Sequence, residues 1–182
     1  MQRGVILYGP PAAGKDTIDD ALRRVSPEYV HFERLKVGPG RTVGYRLADD
    51  GALTALRERG GIVWENQRYG ATYVVDEPGL LDALTHGVPI IHLGQPEAVD
   101  AVQGIEPPVS WTVVELTCPE PIALERLRAR GSCDVDERLD AWRETPRLPT
   151  ADVRIDTSET EPDEAARRID RVARSCDVPR HP

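Results

Sequence analysis

The sequence predicts an α/β protein in which helices cover both faces of a central parallel sheet. Short apolar runs alternate along the chain with segments whose apolar residues recur at helical spacing. The first apolar run, residues 4–8, is bounded by glycines and is followed by a helical pattern over residues 16–25. Regular alternation of strand and helix is typical of a three-layer α/β/α fold, here with about five strands.

The later elements continue this alternation in chain order. Further strands are predicted over residues 62–64, 88–93, 111–116 and 153–155. Helices are predicted over residues 78–85, 96–102, 119–130, 135–142 and 161–174. Two stretches interrupted by loop-forming residues, 31–47 and 143–151, are predicted to be loops over the site or linkers.

Composition narrows the class of protein. A single domain over residues 1–182 is expected, because 40% hydrophobic content in a chain of this length can bury one core. The formal net charge of −8 argues against a general binder of nucleic acid or anionic membranes, which needs a positive field. No apolar run approaches the roughly 20 residues of a membrane span, and the three cysteines form no Cys-x-x-Cys pair. We therefore expect a cytoplasmic protein, monomeric or homodimeric.

The segment between the first strand and the first helix matches a phosphate-binding loop. Gly9, Gly14 and Lys15 form the pattern Gly-x4-Gly-Lys. Glycines let backbone N–H groups approach a phosphate at a helix N-terminus, and the lysine supplies a mobile cation. The sequence therefore predicts an ATP site with Lys15 in a catalytic role. The predicted nucleotide-binding residues are Gly9, Pro10, Ala12, Ala13, Gly14, Lys15, Asp16 and Thr17.

Candidate metal ligands are few. Asp16 stands where most phosphate loops carry the Ser or Thr that binds magnesium, and the hydroxyl moves to Thr17. A carboxylate can hold Mg²⁺ directly or through water, so we predict Mg²⁺ as a cofactor with Asp16 as its candidate ligand. Asp76 is a weaker candidate. The histidines lack metal-ligand spacing and are interpreted as structural or surface residues.

The chain resembles the nucleoside monophosphate kinase superfamily over most of its length, and guanylate kinase most closely. Residues 9–17 are similar to the phosphate loop of adenylate kinases, where the threonine follows one residue after the usual position. Residues 64–72, Trp-Glu-Asn-Gln-Arg-Tyr-Gly-Ala-Thr, are similar to the guanylate kinase segment that ends in Tyr-Gly-Thr. Residues 119–131, followed by residues 137–139, are similar to its lid.

The resemblance implies a P-loop kinase fold with a helical lid at about residues 126–147. It also implies that Arg130 and Arg138 close on the transferred phosphoryl group, and that residues 155–158 lie beside the adenine. Arginines carried by a closing lid neutralise the charge of the transition state and exclude water. The predicted catalytic residues are therefore Lys15, Arg130 and Arg138.

The resemblance further implies an acceptor-binding region at about residues 31–76. In guanylate kinase an arginine-rich segment and tyrosines hold the acceptor phosphate, and Tyr69 matches one of these tyrosines because Tyr-Gly is retained. The predicted acceptor-binding residues are Arg34, Lys36, Arg41, Tyr45, Glu65, Arg68 and Tyr69.

The identity of the acceptor stays open between several classes. The acid expected after residues 88–93 is replaced by Gly94-Gln95, and carboxylates are what read the N–H donors of guanine. The leading hypothesis is transfer from ATP to a phosphorylated small molecule, in the first place a nucleoside monophosphate. The Gly-Lys-Asp sequence and the Gly94 turn also resemble ribose bisphosphate phosphokinase, so a phosphosugar or specialised-metabolite kinase is an alternative. A non-catalytic guanylate kinase-like binding module is a third, although such modules typically lose the phosphate loop.

Overall fold

A computed structural model describes residues 2–40, 42–132 and 134–175 of the protein. The strands in this part of the chain are β1 (Arg3–Tyr8), β2 (Tyr29–His31), β3 (Arg34–Val37), β4 (Tyr45–Leu47), β5 (Ile62–Arg68), β6 (Ala71–Asp76), β7 (Val88–Leu93), β8 (Ser110–Thr117) and β9 (Val153–Asp156). The helices are α1 (Lys15–Val25), α2 (Asp50–Glu58), α3 (Glu77–His86), α4 (Pro96–Gln103), α5 (Glu120–Ala129), α6 (Val135–Glu144) and α7 (Pro162–Ser175).

The central sheet consists of five parallel strands in the order β2-β7-β1-β8-β9. Strand β1 lies in the middle, where Val5 is level with Ile90 of β7 and Thr112 of β8. Because β1 is enclosed by two strands and two helical layers, its sequence is a continuous apolar run and does not alternate between apolar and polar residues. The predicted parallel sheet of about five strands is confirmed.

Side chains of β1 alternate between two separate cores. Val5 and Leu7 pack with residues of α1 and α7 on one face of the sheet. Ile6 and Tyr8 pack with residues of α3 and α4 on the other face. Each face of the sheet is thus covered by helices, which is the predicted three-layer arrangement.

A second, four-stranded sheet has the order β4-β3-β6-β5 and is mainly antiparallel. It corrects the prediction that residues 31–47 form a loop, because β3 and β4 lie within that stretch. Leu35 and Val37 of β3 pack on one side against Leu53 and Leu56 of α2. The intervening residues of β3 face the opposite side, so the segment has the two-residue period of a strand.

Arg46 contacts both ends of the segment that forms the smaller sheet, and Val63, Trp64 and Val75 of that segment also pack on the central core. The Arg46 guanidinium lies 5.5 Å from the centre of the Phe32 ring, and its Nε donates to the Glu33 carbonyl oxygen at 2.8 Å. The same guanidinium pairs with the carboxylate of Asp76, the last residue of β6. The chain therefore leaves and re-enters the central core beside one arginine.

Helices α5 and α6, which fall in the region predicted to be a lid, pack on the phosphate loop. Ala123 and Leu127 of α5 share an apolar cluster with Ala12 of the loop, and Trp142 of α6 lies against that cluster. After α6, residues 145–151 have no regular secondary structure, as predicted for residues 143–151. None of the described helices is both long and apolar enough to cross a membrane.

Candidate active site

The phosphate loop connects the carboxyl end of β1 to the N-terminus of α1 at the middle of the sheet. A Cβ atom on Gly9 would lie 2.4 Å from the Leu116 carbonyl oxygen, so only glycine lets the loop pass this close to β8. Gly14, at the N-cap of α1, has φ of 90°, a left-handed conformation that glycine adopts at little cost. The two glycines of the motif therefore fix the backbone that presents N–H groups to an anion.

Lys15 turns back over the loop. Its Nζ donates to the carbonyl oxygens of Gly9 at 2.5 Å and Pro10 at 2.8 Å. Burial of the ammonium lowers the pKa of Lys15 to about 8. Arg34 and Arg130 add to this lowering, whereas the neighbouring Asp16 opposes it. The charge is thus held at the loop, where a phosphate chain would bind.

Arg126, which the sequence predictions did not select, holds the backbone of the phosphate loop through hydrogen bonds. Arg126 Nη1 donates to the Ala12 carbonyl oxygen at 3.1 Å and to Thr157 Oγ1 at 2.9 Å. Thr157 Oγ1 in turn donates to the Ala13 carbonyl oxygen at 3.0 Å. Arg126 therefore joins the lid helix α5, the phosphate loop and the turn after β9, which the resemblance placed beside the adenine.

Asp16 lies at the entrance of the cleft, and its side chain is 43% exposed. Its carboxylate is 3.5 Å from His92 Nδ1 and 3.7 Å from Arg130 Nη2. Thr17, the next residue, is exposed on α1. Of the two residues that could take the magnesium role, Asp16 is the one that lines the cleft.

Both predicted lid arginines line the same cleft as Lys15. Arg138 of α6 is held by Asp134, with Nε and Oδ1 2.7 Å apart, and its guanidinium lies 4.5 Å from the centre of the Tyr69 ring. Burial would lower the pKa of Arg138, but Asp134 outweighs it and the pKa is raised. The guanidinium is therefore a fixed positive charge at the edge of the smaller, four-stranded sheet.

The face of β3, β4 and β6 that does not contact α2 carries residues predicted to bind the acceptor, and we call it the acceptor wall. Arg34 lies 5.8 Å from the Tyr45 ring centre and 5.4 Å from the Tyr73 ring centre. Lys36 lies behind these rings, is almost fully buried, and donates to the Pro39 carbonyl oxygen. Tyr73 was not predicted as a site residue. It directly follows the segment 64–72 that carries the resemblance, and it is level with Asn66 of β5.

The hairpin between β5 and β6 contributes two further predicted residues. Tyr69 occupies the turn with φ of 54°, and its ring lines the cleft. Arg68 also lines the cleft, with Nη1 3.8 Å from the Glu144 carboxylate of α6. Asn66, on the same face of β5, has a buried amide oxygen that finds no hydrogen-bond partner among the described residues. A buried acceptor without a partner is costly, so this oxygen suits a donor on a ligand.

Glu65, in contrast, does not lie on the cleft side. It is level with Val74, which faces the α2 side, whereas the next residue is level with Tyr73 on the cleft side. Its carboxylate pairs with Arg57 of α2, with Oε2 and Nη2 2.8 Å apart. The strand period thus separates Glu65 from the other predicted acceptor residues. Arg41 lies outside the described residues.

Asp76 has a structural position rather than a place in the cleft. Its carboxylate caps α3 by accepting from the Gly79 N–H at 2.9 Å and pairs with Arg46. The side chain is 5% exposed. This arrangement uses both oxygens and does not support the weaker magnesium assignment.

The described parts of the site enclose a cleft of about 810 Å³. It contains five cationic side chains, Lys15, Arg34, Arg68, Arg130 and Arg138, in a protein whose formal net charge is −8. The lining residues used below are Lys15, Asp16, Arg34, Tyr45, Asn66, Arg68, Tyr69, Tyr73, Gly94, Gln95, Arg130, Asp134 and Arg138. Lys15 follows the phosphate loop directly, Arg130 lies 3.7 Å from the neighbouring Asp16, and Arg138 lies over the Tyr69 ring.

Two histidines interpreted as structural or surface residues lie together beside this cleft. His31 Nδ1 and His92 Nε2 are 2.6 Å and 2.9 Å from the same oxygen, Oδ2 of Asp19. Their hydrogen bonds to this buried carboxylate keep the pKa of Asp19 far below its usual value despite burial, which acts in the opposite direction. His86 is exposed on α3, and His181 lies outside the described residues.

Comparison with known proteins identifies the fold. No family model and no curated protein matches the sequence. Among solved structures, guanylate kinase from Anaplasma phagocytophilum is similar, with a TM-score of 0.64. The match covers 98% of this chain and 88% of that chain, with 17% sequence identity. The chain therefore has the guanylate kinase-like fold that its motifs predicted.

Proposed function

We propose that this protein is an ATP-dependent phosphotransferase that moves the γ-phosphoryl group of ATP onto a phosphorylated small molecule. The observation that carries the proposal is the cleft, because it brings the phosphate loop, the lid arginines and a cationic tyrosine-lined wall together. Each of these groups suits an anion, and two anionic substrates must meet for such a transfer. The guanylate kinase-like fold supports a nucleotide kinase-like activity.

Transfer between two phosphates needs positioning and charge neutralisation more than proton removal. A phosphate acceptor is already anionic, so no general base is required to activate it. Lys15, partly buried at the loop, would contact the β- and γ-phosphates. In that position it would exchange the carbonyl oxygens of Gly9 and Pro10 for phosphate oxygens.

The lid arginines would act on the charge that develops between the two substrates. Arg138 is oriented by Asp134 and by the Tyr69 ring, and Arg130 lies beside Asp16. A guanidinium offers several N–H donors in a plane, which matches the equatorial oxygens of a transferring phosphoryl group. Closure of α5 and α6 over the cleft would exclude water and so favour transfer over hydrolysis.

The Asp16 carboxylate fits Mg²⁺, the usual partner of ATP. Oxygen ligands are what this ion prefers, and Asp16 is half exposed at the end of the phosphate loop. We propose that Asp16 holds the ion directly or through water. When bound, Mg²⁺ would neutralise charge on the phosphate chain.

The chemistry of the acceptor wall favours an acceptor other than guanine nucleotides. Among the described lining residues, the carboxylates are Asp16 and Asp134, of which the second is paired with Arg138. Asn66 and Gln95 offer neutral amides where guanine would need an acidic partner. We propose a nucleoside monophosphate read without strong guanine preference. Because the described wall offers these amides and cations to an acceptor, a phosphosugar is the second candidate.

The proposal is tested by measuring ADP formation from ATP with a panel of nucleoside monophosphates and phosphosugars. Product formation with at least one acceptor is expected, and chelation of the divalent ion should abolish it. Lys15→Ala should reduce turnover by a factor of 100 or more, on the order of the loss of a charge-assisted contact made in the transition state. Arg59→Ala, which removes an exposed cation at the end of α2, is the matched control and should behave like the wild type.

Two outcomes contradict the proposal. Near-wild-type turnover by Lys15→Ala would show that the phosphate loop does not take part in the transfer. Binding of nucleotides without turnover of any phosphorylated acceptor would favour a non-catalytic binding module. A preference for GMP above about a hundredfold would contradict only the proposed acceptor preference, and the kinase activity would then have guanylate kinase specificity.

A further inference from the structure

Three side chains outside the phosphate-transfer groups form a compact cluster of metal-ligating atoms. Asp19 comes from α1, His31 from the end of β2 and His92 from β7. One ligand atom from each lies within 4.8 Å of the others. The two imidazole rings meet edge to face with centres 5.1 Å apart. These residues are 12, 61 and 73 positions apart in pairs, so only the fold brings them together.

The carboxylate at the centre of the cluster is buried and oriented. Asp19 is 1% exposed. Its Oδ1 accepts from Arg23 Nε at 2.8 Å, which leaves Oδ2 for both histidines. Holding one oxygen of a carboxylate with an outer hydrogen bond is how proteins orient a carboxylate that ligates through its other oxygen.

Each histidine also has an acceptor at its outer nitrogen. His92 Nδ1 lies 3.5 Å from the Asp16 carboxylate, and His31 makes a hydrogen bond to the backbone of Gly44. In the metal-free cluster the inner ring nitrogens donate to Asp19 Oδ2, so both protons lie where a cation would sit. A bound divalent ion would replace these two protons. The outer acceptors would then hold the single N–H that each neutral imidazole keeps.

We propose that Asp19, His31 and His92 bind a divalent transition-metal ion, with zinc as the ion that the ligand set suits best. Two imidazoles and one carboxylate are a donor set that borderline ions take, whereas Mg²⁺ prefers oxygen ligands alone. An outer N–H donated to a carboxylate or a backbone carbonyl is the usual arrangement of a metal-binding histidine. The site is separate from the magnesium position proposed at Asp16.

The surroundings leave room for a further ligand. His31 and His92 line a small pocket of about 40 Å³ together with Asp16, Arg34 and Tyr45. That space exceeds what one water molecule needs. Three protein ligands leave at least one coordination position open, as in sites where the metal contacts water or a substrate. An anion in the acceptor wall could therefore reach the ion, since Arg34 and Tyr45 line both spaces.

The inference does not depend on the proposed kinase activity and is tested by metal binding alone. The full-length protein, freed of metal with a chelator, is titrated with Zn²⁺ by calorimetry and with Co²⁺ by visible absorption. One equivalent of Zn²⁺ should bind, raise the melting temperature and displace Co²⁺. Co²⁺ should give the absorption bands of a site with nitrogen and oxygen ligands.

Substitution then locates the site. His31→Ala and His92→Ala should each remove the Co²⁺ bands and the Zn²⁺-dependent rise in melting temperature. His86→Ala is the matched control, because it removes an exposed histidine of α3 and leaves the cluster intact. Circular dichroism of each variant verifies the fold. If a variant does not fold, the wild-type protein still decides the question through its stoichiometry and its Co²⁺ spectrum.

Three results would overturn the proposal. Wild-type protein could fail to bind Zn²⁺ saturably, or could bind it without a Co²⁺ spectrum of nitrogen ligation. Binding could also survive both histidine substitutions. In any of these cases the cluster is an ion pair in which protonated imidazoles, rather than a metal, neutralise Asp19.

Discussion

Arg138 of the lid lies over the ring of Tyr69 in the acceptor sheet, with the guanidinium 4.5 Å from the ring centre. The two residues belong to separate parts of the fold, the helix α6 and the turn between β5 and β6. Because Asp134 fixes the other side of the guanidinium, the stack connects lid position with the acceptor wall. Loss of either partner should therefore affect acceptor use more than ATP use.

The first prediction concerns the Tyr69 hydroxyl. Tyr69→Phe keeps the ring under Arg138 but removes a donor to an acceptor phosphate, which is worth about 1.5–3 kcal/mol for a charged partner. The kcat/KM for the acceptor should fall roughly ten- to more than hundredfold, while the KM for ATP stays nearly constant. Steady-state kinetics with each substrate varied in turn measures this. Tyr29→Phe, which removes a hydroxyl that donates to Asp170 of α7 and does not line the cleft, should leave both constants unchanged. An equal effect of Tyr69→Phe on ATP would place Tyr69 outside the acceptor wall.

The second prediction concerns Arg126, which holds the phosphate loop to Thr157. Arg126→Ala leaves the Ala12 carbonyl oxygen and the Thr157 carbonyl oxygen without this donor. The free energy of unfolding should fall by about 1–3 kcal/mol, and ATP should bind more weakly because the loop is less fixed. Denaturant unfolding and ATP calorimetry measure the two effects. Arg128→Ala, on the exposed side of the same helix, should change neither, and equal losses in both variants would contradict this role.

The third prediction concerns the close approach at Gly9. Alanine there would place Cβ 2.4 Å from a backbone oxygen of β8, so either the loop or the strand must move. We expect Gly9→Ala to destabilise the protein by more than about 2 kcal/mol and to abolish nucleotide binding. In Gly104→Ala the added atom meets its nearest neighbour at 3.4 Å, an ordinary contact, and stability should change little. Equal melting temperatures for the two variants would show that the loop adapts.

The fourth prediction separates two residues of the acceptor sheet that the sequence treated alike. Glu65→Gln breaks only an ion pair with Arg57 on the α2 side, and exposed pairs contribute about 0–1 kcal/mol. Acceptor kinetics should therefore be unaffected. Arg34→Ala removes a cation from the cleft wall and should raise the acceptor KM by about tenfold or more. A larger effect from Glu65→Gln than from Arg34→Ala would mean that the wall is on the other face of the sheet.

Local sequence patterns predicted the central layers of the fold and the phosphate loop. Gly9, Gly14 and Lys15 are close in the sequence, so their pattern is visible without the structure. The buried strand β1 is likewise a short, continuous apolar run. Strands β3 and β4 were missed because each is three or four residues long and glycine and proline lie between them. Their stability comes from pairing with β6 and from packing on α2, which are contacts between distant parts of the chain.

Helix α2 was also missed, although Asp49 caps it by accepting from the Ala52 N–H at 2.7 Å. A capping residue is a signal that the sequence carries, but Gly51 in the first turn weakens it. The histidine cluster had no such local signal. His31 and His92 reach Asp19 only because β2 and β7 are adjacent parallel strands, and no spacing rule relates residues so far apart.

The anchor at Arg46 has a consequence for how acceptor choice can change in evolution or in design. The segment between Phe32 and Asp76 is continuous in sequence and has a small core under α2, although Val63, Trp64 and Val75 also pack on the central core and would have to be kept. An insertion whose two ends share an anchor can be replaced as a unit without rethreading the central sheet. Grafting the corresponding segment of another kinase between these two positions should therefore transfer acceptor preference, while the donor half of the molecule, built on β1 and α1, remains as it is.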